Sequence, residues 1–166
     1  MMQTNRSRAT RPGLQRAGLL LVVLTALALP IRAAAGAQVP YKGSDSGGYT
    51  IPGTCAPGIF QIDINGTGTA TQLGEYAYHA VECFDPVAST VSGEFTMTAA
   101  NGDTIFGTYS GPCAGNSCAE TAVVQGGTGR FAAAKGQLAV TVTVTGPDTY
   151  SEVASGTLST PGSASQ

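Results

Sequence analysis

QLAVTVTVT, residues 137–145, decides the fold class. Leu138, Val140, Val142 and Val144 point one way, and Gln137, Thr141, Thr143 and Thr145 point the other. A period of two marks a strand with one buried and one wet face, and β-branched residues suit the pleated surface. Gly146-Pro147-Asp148 turns the chain, and TYSEVASGTLS follows as a last strand. The same alternation recurs towards the N-terminus. GIFQIDIN sets Phe60, Ile62 and Ile64 against Gln61 and Asp63. EYAYHAVEC, Glu75 to Cys83, offers Tyr76, Tyr78 and Ala80 to a core. VSGEFTMTAA sets Val91, Phe95 and Met97 against Glu94, Thr96 and Thr98. Asn101-Gly102 predicts a type I′ turn into the returning strand DTIFGTYSG, and AETAVVQ is a further strand. Residues 41–48, YKGSDSGG, read as a polar lead-in to a first strand beginning at Tyr49 to Ile51. GTGTATQLG reads as a linker, and RFAAAK as one helical turn. About eight strands result, joined mostly by short turns, so neighbours in sequence can pair in space. The expected fold is all-β, an eight-stranded antiparallel closed barrel, because closure removes exposed strand edges.

Ahead of the strands lies a different composition. The first 16 residues carry Arg6, Arg8, Arg11 and Arg16 and no acid. Ala17 to Leu29 is uncharged, and small residues follow in IRAAAGAQ. Basic, apolar, small is the order of a cleavable secretory signal, read here as residues 1–37. Cleavage after Ala37 satisfies the small-x-small pattern with Ala35; cleavage after Ala35 competes. The apolar run is too short to remain as an integral membrane anchor, which needs about 20 residues. The barrel domain is then 38–160, and 161–166 form a disordered tail. Removal of the signal leaves Lys42, Arg130 and Lys135 against ten acids, a formal charge of −7. Such a surface repels phosphate backbones and disfavours nucleic acid as a partner. A secreted, extracytoplasmic chain results.

The four cysteines, Cys55, Cys83, Cys113 and Cys118, form an even set in an exported chain and read as disulfides. Of three pairings, Cys113–Cys118 and Cys55–Cys83 are favoured. The first closes the tight loop CAGNSC. The second ties a hairpin in which Ile59 would face His79 and Asp63 would face Glu75. A zinc site is disfavoured, since there is no CxxC and His79 is the sole histidine. No cofactor is called for.

VVQGGTGRFAAAKG, with GTGTATQLGEYAY and EFTMTAANGDTIFGTYSG, resembles segments of dirigent and allene-oxide-cyclase-like barrels, including exported bacterial proteins of that calycin-like type. The resemblance spans most of residues 58–158. It implies an eight-stranded antiparallel barrel with an apolar interior, and it implies a homo-oligomer, although no interface is evident in the sequence. Plant relatives use such interiors to steer radical coupling or a cyclisation, through polar residues that cannot be matched here one by one. The fold carries over and the reaction does not. The two cysteine pairs depart from the pattern.

Glu82 shares the parity of Tyr76 and Tyr78, and Glu152 that of Tyr150, Ala154 and Leu158, so both acids can point into a barrel. Buried carboxyls would titrate high and could donate or accept protons. Tyr76, Tyr78, Tyr109 and Tyr150 could line a pocket, so these four and Glu82 and Glu152 are the candidate ligand-binding residues. No catalytic residue can be assigned. His79 falls on the outer parity without an orienting partner. Gly126 to Gly129 lack the ending of a phosphate loop and read as a structural turn, with Phe131 plugging one barrel end. Asn65-Gly66-Thr67 matches a glycosylation sequon, which in a bacterial host would be only a strand-end turn. Three functions compete. A non-catalytic barrel holding a small apolar molecule is favoured over a structural or interaction module of the cell envelope. An enzyme of cyclase or isomerase type stands third, on fold analogy alone.

Overall fold

The structure is a computed structural model that describes residues 37–159. The segment read as a signal, apart from Ala37, and the tail 161–166 lie outside the described residues. Eight strands run in chain order: β1 (Gln38–Ala56), β2 (Ile59–Ala70), β3 (Gly74–Asp85), β4 (Thr90–Ala99), β5 (Thr104–Ala114), β6 (Ser117–Gly127), β7 (Lys135–Val144) and β8 (Thr149–Ser159). Each pairs antiparallel with the next, and β8 returns to pair with β1. The closed barrel expected from alternation is therefore present. A short 3-10 turn, Gly129–Phe131, stands between β6 and β7.

Alternation does its work on the inner face. Leu138, Val140, Phe95, Met97, Ala122, Val124, Tyr78 and Ala80 are all buried, while their sequence neighbours face out. One end of the barrel is filled. Tyr41, Leu73, Ile105, Phe131, Ala134 and Leu158 pack there, each 4% exposed or less. Arg130 fastens this end from outside, donating to the Leu73 carbonyl at 3.3 Å, with its Nε 3.8 Å from Asp103.

Several expectations are corrected. Residues 41–48 belong to β1, which starts at Gln38 and is paired on both sides, by β2 and by β8. Its Gly, Ser and Asp residues are poor strand formers, but a strand between two neighbours satisfies its backbone whatever its side chains prefer. Most of the expected linker is β2, leaving only 71–73 as a turn. Asn65 therefore lies within a strand, not at its end. The Asn101-Gly102 turn is not type I′, since Gly102 alone has positive φ, at 87°. Its amide donates to the Ala99 carbonyl while the Ala99 amide donates to the Asp103 carbonyl, the pattern of a type I turn closed by a left-handed glycine.

Both disulfides form as paired in the sequence reading. Cys113 and Cys118 face each other across β5 and β6. Cys55, however, lies on β1 rather than opposite Cys83 in a hairpin, so its bridge to β3 crosses over β2. The β2–β3 register accordingly slides by six positions: Asn65, not Ile59, faces His79, and Val81, not Glu75, faces Asp63. An even slide leaves every side chain on the face assigned to it. Phe60 is the exception: it sits beside a register shift at the β1–β2 turn and is 41% exposed. Disulfides form and persist in oxidising compartments. Among the described residues no helix is long and apolar enough to cross a membrane.

Candidate functional site

An eight-stranded barrel is just wide enough either to fill with side chains or to hold one small ligand. This barrel does both. Its far end is packed, while the end carrying turns 57–58, 86–89, 115–116 and 145–148 opens into a cavity of about 290 Å³. Ile62, Ile64, Val91, Val142 and Phe84 form much of its wall. Tyr49 joins them, its hydroxyl donating to the Pro147 carbonyl at 3.0 Å and so pinning the 145–148 turn. Cys113 and Cys118 stand at the rim with Asn116, which donates from Nδ2 to the Val144 carbonyl at 3.1 Å. Ser117 donates to Val142 at 2.9 Å, so the tip of the β5–β6 hairpin is fastened to β7.

Deeper in, the apolar wall gives way to acids and phenols. Glu82 from β3, Glu120 from β6 and Glu152 from β8 line the cavity with Tyr78, Tyr109 and Tyr150. Beneath them Phe95, Met97, Ala122 and Leu138 close the floor. The Tyr109 hydroxyl donates to Glu82 Oε2 at 2.8 Å. Below, Tyr76 donates to Asp45 Oδ2 at 2.7 Å. Asp45 on β1 is the cross-strand partner of Glu152 on β8, which places two acids side by side on the inner face. Asp45 Oδ1 and the Tyr150 hydroxyl are buried without a well-formed hydrogen bond, although they lie close enough to perturb one another.

Removing carboxyls from water disfavours their charged form. Burial pushes Glu120 up to about 8, with the Glu82 charge adding to the effect. Burial raises Glu152 well above the carboxylate range, and the charges of Asp45, Glu120 and Glu82 raise it further. Asp45 and Glu82 are also raised by burial, against the lowering effect of the tyrosine hydrogen bonds they accept. The tyrosines move the same way for the same first cause: Tyr78, Tyr109 and Tyr150 stay neutral phenols.

Five of the six sequence candidates, Tyr78, Glu82, Tyr109, Tyr150 and Glu152, meet in this one cavity. Tyr76 is not in its lining; it points below, to Asp45. His79 is exposed on the outer face, 3.4 Å from Asp63 Oδ1. Two acids were missed. Glu120 was legible by the parity that placed Glu82, since it shares a face with Ala122 and Val124. Asp45 carries no such signal, because its strand alternates glycine and serine rather than apolar residues. Among the described residues no group of three or more acids, histidines or cysteines could hold a metal ion. No thiol is free, so thiol chemistry is absent from the site.

No protein-family profile and no curated protein sequence matches the chain.

Proposed function

We propose that the chain is a secreted, non-catalytic binding barrel that holds one small, mainly apolar molecule in its open end. One observation carries the reading: the cavity of about 290 Å³, apolar around its mouth with a polar zone deeper in, at the lower edge of small-molecule site volumes. The packed opposite end supports it, since a barrel that only had to be stable would fill both ends. The closed eight-stranded meander also supports kinship with dirigent and allene-oxide-cyclase-like barrels. The two disulfides and the basic–apolar–small N-terminus support export.

The test is native mass spectrometry of the protein secreted under oxidising conditions. The expected species is lighter by the four hydrogens of two disulfides and carries a retained small molecule. A neutral fluorescent probe, N-phenylnaphthylamine, should also bind, and Val142→Trp, which fills the cavity, should abolish that binding. Equal probe binding by the variant would refute the site.

Glu82, Glu120 and Glu152 in one cavity favour a second reading, an acid–base enzyme of cyclase or isomerase type. The two readings part on the fate of the retained molecule. Recovery unchanged after incubation fits the binder, and conversion to an isomer fits the enzyme.

A further inference from the structure

The titratable groups inside the barrel are all acids or phenols. Tyr41, Asp45 and the half-buried Tyr49 come from β1, Tyr76, Tyr78 and Glu82 from β3, Tyr109 from β5, Glu120 from β6, and Tyr150 and Glu152 from β8. The inner faces of β2, β4 and β7 contribute only apolar side chains, such as Ile64, Phe95 and Val140. Among the described residues the basic side chains are Lys42, Arg130, Lys135 and His79, and none lines the cavity. Four buried carboxyls thus share an interior with no cation of the protein's own.

Two of the four have their own partners: Glu82 has Tyr109 and Asp45 has Tyr76. The other two have none. Glu120 and Glu152 are 8% and 5% exposed, both line the cavity, and neither side chain makes a hydrogen bond among the described residues. Unlike the sealed Asp45 Oδ1 and Tyr150 hydroxyl, their carboxyl oxygens face the cavity space, so water or a ligand must meet them there. An anion would be repelled here, and a wholly apolar molecule would cover the two carboxyls without meeting them. A metal ion finds no group of ligands close enough to hold it.

Building on the binding-barrel reading, we propose that the ligand is an organic cation. It is a small amine whose ammonium group sits between Glu120 and Glu152 and whose hydrocarbon body lies against Ile62, Val91 and Val142. An ammonium carries three donors and matches two acceptor-only carboxylates. Tyr78 and Tyr150 line the same cavity, and an aromatic face turned to a desolvated cation adds attraction. Proton linkage follows. The bound cation favours ionised carboxylates, so binding expels protons from groups held partly neutral by burial. Affinity then rises with pH, by about tenfold per pH unit for each proton released. The rise continues to about 8, where Glu120 loses its proton unaided.

The experiment titrates the disulfide-intact protein calorimetrically with two probes of equal shape, n-hexylamine and 1-hexanol, from about pH 6 to about pH 8, where the amine stays protonated. Repeats in buffers of different ionisation enthalpy read the protons released. The amine should bind at least about tenfold more tightly at the upper pH, release protons, and lose its advantage towards the lower pH. Glu120→Gln with Glu152→Gln should bind both probes alike. Hexanol binding as tightly as hexylamine across the range would overturn the cation while leaving the binding barrel standing. Failure of both probes would remove both readings. A double variant that keeps the amine preference would overturn the assignment to these two residues.

Discussion

Replacing Glu120 by Gln removes one ionisable group from the barrel while keeping its shape and polarity. Burial and the neighbouring Glu82 charge lift Glu120 from 4.5 to about 8 in the folded chain. A raised folded-state pKa means that the folded state holds its proton more tightly than the unfolded chain does. The associated stability is complete below about 4.5 and is lost as pH climbs to about 8. At 1.36 kcal/mol per pH unit that gap corresponds to roughly 5 kcal/mol, a ceiling that water in the open cavity lowers. We expect roughly 2–5 kcal/mol between acid and alkaline limits, and about 4 °C in Tm per kcal/mol for a domain of this size. The assay is scanning calorimetry of both proteins at intervals from about pH 4 to about pH 9, disulfides intact. Comparing each protein with itself across pH cancels the fixed cost of the amide. The wild type should lose stability with rising pH more steeply than E120Q, so the variant gains on it by roughly 8–20 °C at the alkaline end. Glu152 gives both proteins a residual slope. Melting curves that stay parallel over the whole range would show that Glu120 titrates as an exposed carboxyl and would refute the reasoning.

The two disulfides should contribute unequally. Loss of Cys55–Cys83, with a separation of 28 residues, should cost roughly 3.6 kcal/mol in urea unfolding. Loss of Cys113–Cys118, with a separation of 5, should cost roughly 2 kcal/mol in the same assay. Gly47→Ala should be severe, at least about 3 kcal/mol, because its new Cβ would lie 2.0 Å from the Asn65 carbonyl oxygen and 2.5 Å from Gly66 Cα. Gly53→Ala meets nothing within 4 Å and should stay within about 0.5 kcal/mol, so equal urea midpoints for the two glycine variants would contradict the tight β1–β2 approach.

The alternation of QLAVTVTVT and its counterparts carries the barrel, because a period of two assigns each residue to a face without any knowledge of partners. That is why Glu82 and Glu152 could be turned inward from parity alone, and why the six-position slide between β2 and β3 did no harm to those assignments. Register itself was not legible. A disulfide between sequence neighbours suggests a paired hairpin, but Cys55 reaches Cys83 over an intervening strand. β1 was only partly legible, since pairing with β2 and β8 overrides the preference of Gly, Ser and Asp for turns. Asp45 was hidden with it. Glu120 was legible by parity, but the outward face of its strand also carries Ala119 and Val123, the latter 44% exposed, which blurs the alternation.

The pairing of Gln38 with Ser159 has a consequence for presentation. These two residues are cross-strand partners, with Cα atoms about 5 Å apart, at the packed end of the barrel. The ends of the described chain therefore meet on the side away from the mouth. A fusion or immobilising tag placed at either would hold the mouth outward, unobstructed. A short linker joining them would make the barrel a continuous ring of strands, which could be reopened at another turn. Opening at Ala100 to Asp103, also on the packed end, should give a permuted chain with the same barrel and an undisturbed cavity.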